Sequence, residues 1–235
     1  MKHMDILEVL PPLCRKKGIK FLANMGVNSS YVGSPLETKF SMQHPEYYHH
    51  HLLDFSIPEV IDFATENFRE MARYEIDGLS VSHTRYPYWQ TKDTILAFHR
   101  GIVEKIGWQR RRELELNISF VCDDPDYYQA IEIMMQEDLI DSIVPGNMMC
   151  IHPPVNLTPY IQLAERWGKT VYGMIDGWGL SNAGMNTSVL PRPAECEILA
   201  ERYINQGAKG LYFYQSEQIL SNPFMRRFVK SLKLP

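Results

Sequence analysis

Six short apolar runs alternate with stretches of helical apolar spacing, and this alternation restricts the possible fold more than any other feature of the chain. The clearest run lies within Glu75-Ile-Asp-Gly-Leu-Ser-Val-Ser-His-Thr-Arg-Tyr-Pro-Tyr-Trp89. There Leu79 to Val81 follow an Asp-Gly turn and lead straight into polar and aromatic residues. A helical pattern from Pro58 to Tyr74 precedes the run, and another follows from about Asp93 to Gly107. A short strand between two helices, polar only where it ends, is the unit of a parallel α/β sheet. Ligands in such sheets bind beyond the carboxyl ends of the strands, so Ser82, His83, Arg85 and Tyr86 fall where chemistry is expected.

The other five runs end in the same manner. Ile19 to Met25 ends in Gly26-Val-Asn28, and Leu116 to Val121 in Cys122-Asp123-Asp124-Pro125. Ile140 to Val144 ends in Pro145-Gly-Asn147, and Thr170 to Ile175 in Asp176-Gly-Trp178. Leu211 to Tyr214 ends in Gln215-Ser-Glu217.

Helices are expected between the runs. A first helix from Asp5 meets Pro11-Pro12, which should break or reset it, and Lys16-Lys17-Gly18 supplies its stop. Ser56-Ile-Pro-Glu59 reads as a capping box, followed by Val60, Ala64, Phe68 and Met71 on one face. Ile95, Phe98, Ile102 and Ile106 form a stripe closed by Gly107, and Tyr128, Ile131 and Met135 form the next. Thr158-Pro159 opens a helix with Ile161, Ala164 and Trp167 inward. Pro193 to Gln206 follows with Gly207 as its cap, and Asn222-Pro223 starts a last helix whose Phe224, Phe228 and Leu232 can cover the sheet. Val32 to Asp54 carries little periodicity, as functional or poorly ordered loops do.

Six strands alternating with helices, with no linker dividing them, predict one α/β domain over residues 1–235. Right-handed crossovers would curl six such units most of the way around a (β/α)8 TIM barrel, leaving it incomplete with two raw parallel edges. Isolated proteins avoid such edges, so a homo-oligomer or a missing N-terminal segment is expected to cover them.

Composition narrows the function classes. The chain is 45% hydrophobic and 22% charged, an ordinary globular balance, and its net charge of −4 gives no reason to expect nucleic acid. Arg110-Arg-Arg112 is a solvated helix-to-strand corner on this reading. Cys14, Cys122, Cys150 and Cys196 are too scattered for a zinc knuckle or a redox pair. There is no signal-peptide pattern and no apolar run approaching about 18 residues, so the chain as written is expected to be cytoplasmic and not membrane-bound. His44, His49, His50 and His51 are adjacent on a loop and lack helical ligand spacing, so no metal and no other cofactor is expected.

Four stretches, taken in order, resemble a known family. They are Cys14-Arg-Lys-Lys-Gly-Ile-Lys-Phe21, Leu53-Asp-Phe-Ser-Ile-Pro-Glu-Val60, Tyr74-Glu-Ile-Asp-Gly-Leu79 with Arg85-Tyr-Pro87, and Gly207-Ala-Lys-Gly-Leu-Tyr-Phe213. The set is similar to the glycosyl-hydrolase-like TIM barrels of the family-10-like group. The resemblance implies that the Gly-Ile-Lys-Phe strand is the third of the barrel, so this chain would supply strands three to eight. The family pattern Asp-Gly-Ile-x-x-Asp-x-x-Arg-x-Pro is matched by Asp77, Gly78, Arg85 and Pro87, but Ser82 stands where the second acid is usual. A serine there cannot protonate a glycosidic oxygen at neutral pH.

Glycoside hydrolysis normally takes two carboxyl groups flanking one bond. The acids at predicted strand ends are Asp123 or Asp124, Asp176 and Glu217. Asp176 ends an apolar strand and precedes Trp178, a pairing suited to a sugar's polar hydroxyls and apolar face; it could equally cap a turn. Glu217 could be a surface residue, and Asp123 a helix N-cap. Arg85 can grip hydroxyls or a carboxylate, or hold a loop through a buried ion pair. Asn28 and Asn147 can orient sugar hydroxyls or fix turns, and Tyr86, Tyr88 and Trp89 can wall a cleft or pack beneath a loop. Ser82 and His83, as strand neighbours, point to opposite faces and do not form a dyad. The expectation is a barrel acting on a polysaccharide or oligosaccharide, with Asp176, Glu217 and Asp123 as candidate catalytic acids. Asn28, Ser82, His83, Arg85, Tyr86, Asn147 and Trp178 are the candidate substrate contacts. The alternative is a carbohydrate-binding or scaffold barrel that has lost its acid at Ser82.

Overall fold

The structure is a computed structural model and describes residues 5–27, 31–49, 52–84, 90–146, 154–176, 193–214 and 216–232, with Glu217 and Gln218 described by backbone alone. Helix α1 (Ile6–Arg15) leads into β1 (Leu22–Gly26). A short helix α2 (Lys39–Gln43) and the antiparallel strands β2 (Tyr48–His49) and β3 (Leu52–Leu53) follow. Next come α3 (Pro58–Met71), β4 (Gly78–Ser82), α4 (Lys92–Ile106), α5 (Trp108–Arg111), β5 (Glu115–Val121) and α6 (Pro125–Gln136). The remainder is β6 (Ser142–Gly146), α7 (Thr158–Trp167), β7 (Thr170–Asp176), α8 (Pro193–Gln206), β8 (Gly210–Tyr214), α9 (Ser216–Ser221) and α10 (Pro223–Ser231).

The six expected strands form one sheet in the order β1-β4-β5-β6-β7-β8. The β1–β4, β6–β7 and β7–β8 pairings are parallel. The fold is therefore α/β and of the TIM-barrel type, incomplete, with six β/α units. The chain divides into two compact units, Met1–Ile118 with Pro125–Asp141, and Ser119–Asp124 with Ser142–Pro235.

In the first unit, Val60, Ala64 and Phe68 of α3, Ile95, Phe98 and Ile102 of α4, and Ala130, Ile131 and Met134 of α6 form a buried helical layer with Leu79 and Val81 of β4. The opposite face of β4 carries Ser80 and Ser82, as strand alternation requires. Two aspartates fix the sheet register in the same way. The Asp77 N–H donates to the Phe21 carbonyl (2.9 Å) while its Oδ2 accepts from the Phe21 N–H at 2.8 Å. Asp141 makes the identical exchange with Leu116, 2.8 Å in both directions. Each aspartate immediately precedes a strand and ties it to its neighbour.

In the second unit, Val144, Val171, Ile175, Leu199, Ala200 and Tyr203 are buried. A Cβ on Gly173 would lie 2.4 Å from the Tyr203 ring, so α8 sits directly on β7 at that point. Phe228 of α10 packs edge-on to Phe213 of β8.

Several local expectations are corrected. Helix α1 runs through Pro11-Pro12, because the Asp5 side-chain cap on Leu7 and the Lys16 N–H to the Pro12 carbonyl hold its two ends. Ser56 makes no capping box. Its own N–H goes to Asp54 Oδ1, and α3 is entered from Ile57 with Pro58 in the first turn. Tyr127, not Tyr128, is the buried tyrosine of α6, while Trp167 and Phe224 are exposed. Within the aperiodic stretch, Phe40 of α2 stacks on Phe63 of α3 with ring centroids 4.1 Å apart. There His44 stacks on Tyr47 and its Nδ1 lies 3.1 Å from Glu46 Oε1.

Candidate functional site

Strand β7 is an apolar run that ends in a carboxylate. Tyr172, Met174 and Asp176 alternate on one of its faces, and Gly173 on the other meets α8. In register on β8, Gly210 stands across from Tyr172, Tyr212 from Met174, and Tyr214 from Asp176. A Cβ on Gly210 would stand in ordinary contact with the Tyr172 ring, 3.4 Å away, so that ring lies over the start of β8. Asp176 therefore sits at the carboxyl end of its strand, on a face with three tyrosines, and is only 1% exposed. Tyr172, Tyr212 and Tyr214 are half-buried.

Burial pushes the Tyr212 phenol above its ordinary pKa, and charge on Tyr214 adds to the shift, while a hydrogen bond with Ser119 works against it. The Tyr212 phenol thus keeps its proton at neutral pH and can donate a hydrogen bond on the face that carries Asp176. That mixture, a carboxylate, phenols and aromatic faces on a strand's carboxyl end, can hold a polyhydroxylated ring and move a proton to or from it.

Asp123, just after β5, is exposed and its Oδ1 accepts from the Cys122 thiol at 3.4 Å. Burial, and then the Asp123 charge, push that thiol up to about 12, so Cys122 stays protonated and is no nucleophile. The Cys122 carbonyl accepts from the Tyr160 hydroxyl at 2.7 Å, which fixes the end of β5. Glu217 lies in the first turn of α9, and its side chain is outside the described residues.

In the first unit, Ser82 ends β4 across from Gly26 and shares a 2.9 Å hydrogen bond with the Thr84 hydroxyl. Below it, Asn24 Nδ2 donates to Ser80 Oγ at 2.7 Å, and Ser80 Oγ donates to Asn117 Oδ1 at 3.1 Å. His83 is fully buried on the helical side, its Nε2 3.1 Å from His99 Nε2 of α4, with the Phe98 and Tyr127 rings around it. Asn28, Arg85, Tyr86, Asn147 and Trp178 lie outside the described residues, as do Tyr88 and Trp89. Tyr172, Tyr212 and Tyr214 were not singled out from sequence, although aromatics at alternate positions beside a strand-ending acid are a readable signal.

Among the described residues no group of three or more His, Cys, Asp or Glu could hold a metal ion, and no helix is long and apolar enough to cross a membrane.

No protein-family model and no curated protein matches the sequence. The structure is similar to the PgaB (BpsB) glycoside hydrolase domain from Bordetella bronchiseptica, with a TM-score of 0.61 and 12% identity over 98% of this chain and 81% of that one. It is similar to the glycoside hydrolase domain of PelA from Pseudomonas aeruginosa, with a TM-score of 0.58 and 11% identity over 89% of this chain and 83% of that one. It also matches 3-dehydroquinate dehydratase from Geobacillus kaustophilus at a TM-score of 0.50 and 13% identity, over 74% of this chain and 67% of that one. At these identities the likeness establishes the barrel-type fold alone, a fold that hosts more than one chemistry.

Proposed function

We propose that this chain is a glycoside-hydrolase-type domain acting on a polysaccharide or oligosaccharide, with Asp176 as one carboxylate of the acid–base pair. The observation that carries the reading is the placement of Asp176. It is nearly fully buried at the carboxyl end of β7, in register with Tyr214, on the face that also holds Tyr172 and Tyr212. The barrel likeness to glycoside hydrolase domains supports the same class.

In this mechanism one carboxyl group protonates the leaving glycosidic oxygen or attacks the anomeric carbon, and a second completes the pair. Asp123 and Glu217 are the proposed second acids. Asn147 and Trp178, which follow β6 and β7, are proposed sugar contacts, and the Tyr212 and Tyr214 hydroxyls orient the ring.

The test is release of reducing ends from a panel of soluble glycans by the wild type and by Asp176→Asn, which keeps the volume but replaces the carboxyl with an amide that cannot ionise. Turnover in the wild type and a loss of about 100-fold or more in the variant are expected. Equal turnover in both removes Asp176 from the chemistry. A wild type that binds glycans yet releases nothing identifies a barrel that retains binding without hydrolysis.

A further inference from the structure

A depression of about 560 Å³ lies on the helical side of the first unit, lined by Arg100, Val103, Glu104, Trp108, Glu137 and Leu139, with Gly107 at its edge. Its residues come from the last turns of α4, the start of α5 and the segment just after α6. Arg100, Val103, Glu104 and Gly107 recur at three- and four-residue spacing, so they share one face of the chain as α4 ends. Val103 and Leu139, each 2% exposed, form an apolar floor.

The rim has the opposite character. Trp108 leaves 48% of its surface exposed, which presents part of the indole at the rim. Gly107 has a φ of +77°, and nothing lies within 4 Å of where its Cβ would stand, so the backbone beside the indole is open to approach. Arg100 spends Nε and Nη2 on the two oxygens of Glu137, at 2.8 and 2.5 Å, which fixes the guanidinium plane and leaves Nη1 outside that fork. Glu104 is exposed and makes no hydrogen bond or ion pair among the described residues.

An indole face, a free carboxylate acceptor and a pre-oriented guanidinium donor around a shallow apolar floor suit a pyranose ring. The ring lays its C–H face on the indole and its hydroxyls on the charged groups. We infer that this depression is a second carbohydrate-binding site, centred on Trp108 and distinct from the strand ends that carry Asp176. It holds a polysaccharide chain without cleaving it. The inference rests on the carbohydrate reading above.

Affinity electrophoresis of the full chain through gels containing hydroxyethyl cellulose, laminarin, chitosan or galactomannan, one at a time, tests it. The wild type should be retarded by at least one polymer. Trp108→Ala should weaken that retardation about tenfold, and Glu104→Gln less, while Asp176→Asn leaves Trp108-dependent retardation in place. Hydrolysis of short soluble oligosaccharides should be unchanged in Trp108→Ala. Retardation unaffected by Trp108→Ala, or lost only in Asp176→Asn, overturns the second site and leaves the hydrolase reading standing. No retardation of the wild type by any polymer also overturns it, and the reducing-end assay then judges the hydrolase reading separately.

Discussion

Nε2 of His83 lies 3.1 Å from Nε2 of His99, with both rings buried between α4 and α6. Two imidazoles share that hydrogen bond only if one nitrogen donates and the other accepts, so at least one of the two rings is neutral. Burial pushes His83 well below the usual 6.5, with charge on His99 adding to the effect and the Gln90 side chain opposing it. Burial alone takes His99 down to about 3. The groups around them, Phe98, Tyr127 and Gln90, carry no charge to compensate a proton. Well above pH 6.5 neither histidine is protonated in the folded or unfolded chain, so the full stability is present there. As pH falls below 6.5 the unfolded chain binds protons that the folded one cannot, and stability drops by up to about 1.4 kcal/mol per pH unit for each histidine. Urea unfolding midpoints should therefore fall steadily from pH 7 to pH 5, above the carboxylate range. His99→Gln should flatten that slope; a flat wild-type profile contradicts the buried pair.

Gly78 tests the junction of three strands. A Cβ there would stand 2.3 Å from the Glu115 carbonyl oxygen and 2.8 Å from Leu22 Cγ. The first of these is backbone and cannot step aside, so Gly78→Ala should destabilise by about 3 kcal/mol in chemical denaturation, the upper end of overpacking costs. Gly18 is the contrast. Its φ is +69° with open space around it, so Gly18→Ala should cost only the left-handed strain, about 1 kcal/mol.

The same glycine shows what a sequence reading can and cannot reach. Asp77-Gly78 marked a strand start correctly, yet the reason is not a turn: Gly78 is the first residue of β4, and its lack of a side chain admits the neighbouring strand. The strands were legible as apolar runs, most continuous where burial covers both faces, as in β4, β5 and β6, and Gly107 and Asn222 marked helix ends through local backbone chemistry that needs no tertiary contact. The side-chain partners were not legible. Tyr127 and Tyr128 are adjacent, and a rotation of one residue decides which is buried; that rotation is set by α4 and β4, which are distant in sequence. The position of Asp176 at its strand end was readable, but its alignment with Tyr214 depends on strand register, which no local pattern encodes.

Asp141 carries two loads. Its Oδ2 accepts from the Leu116 N–H at 2.8 Å and from Arg111 Nη1 at 2.9 Å. Arg111 is 2% exposed and has one other hydrogen bond, from Nη1 to the Leu114 carbonyl, with Asp138 a distant 4.0 Å away. Asp141→Ala strands a buried guanidinium as well as a strand N–H, and should cost about 3–5 kcal/mol. The double variant Asp141→Ala with Arg111→Met should recover a large part of that loss, because it removes the charge that lost its partner. A double variant no more stable than the single one places the cost in the Leu116 tie alone. The basic triplet is thus not a uniformly solvated corner: Arg111 is interior, while Arg110 clamps the Ala72 and Tyr74 carbonyls.

Ser82 occupies the position where the resemblance places an acid, and its hydroxyl is engaged with Thr84, 2.9 Å away and itself 2% exposed. Replacing Ser82 with alanine leaves the Thr84 hydroxyl without that partner in a site with little water, which should cost about 1 kcal/mol of stability. A hydroxyl committed to a neighbour contributes little to substrate, so KM for glycans should stay within about twofold of the wild type, whereas a direct substrate contact would raise KM with kcat unchanged. Ser82→Asp separates the readings further. A carboxylate placed at an 8% exposed position beside a threonine hydroxyl should destabilise the chain through the desolvation of its charge. If turnover instead rises in Ser82→Asp while stability holds, the serine is a lost acid and Asp176 has been working without its original counterpart.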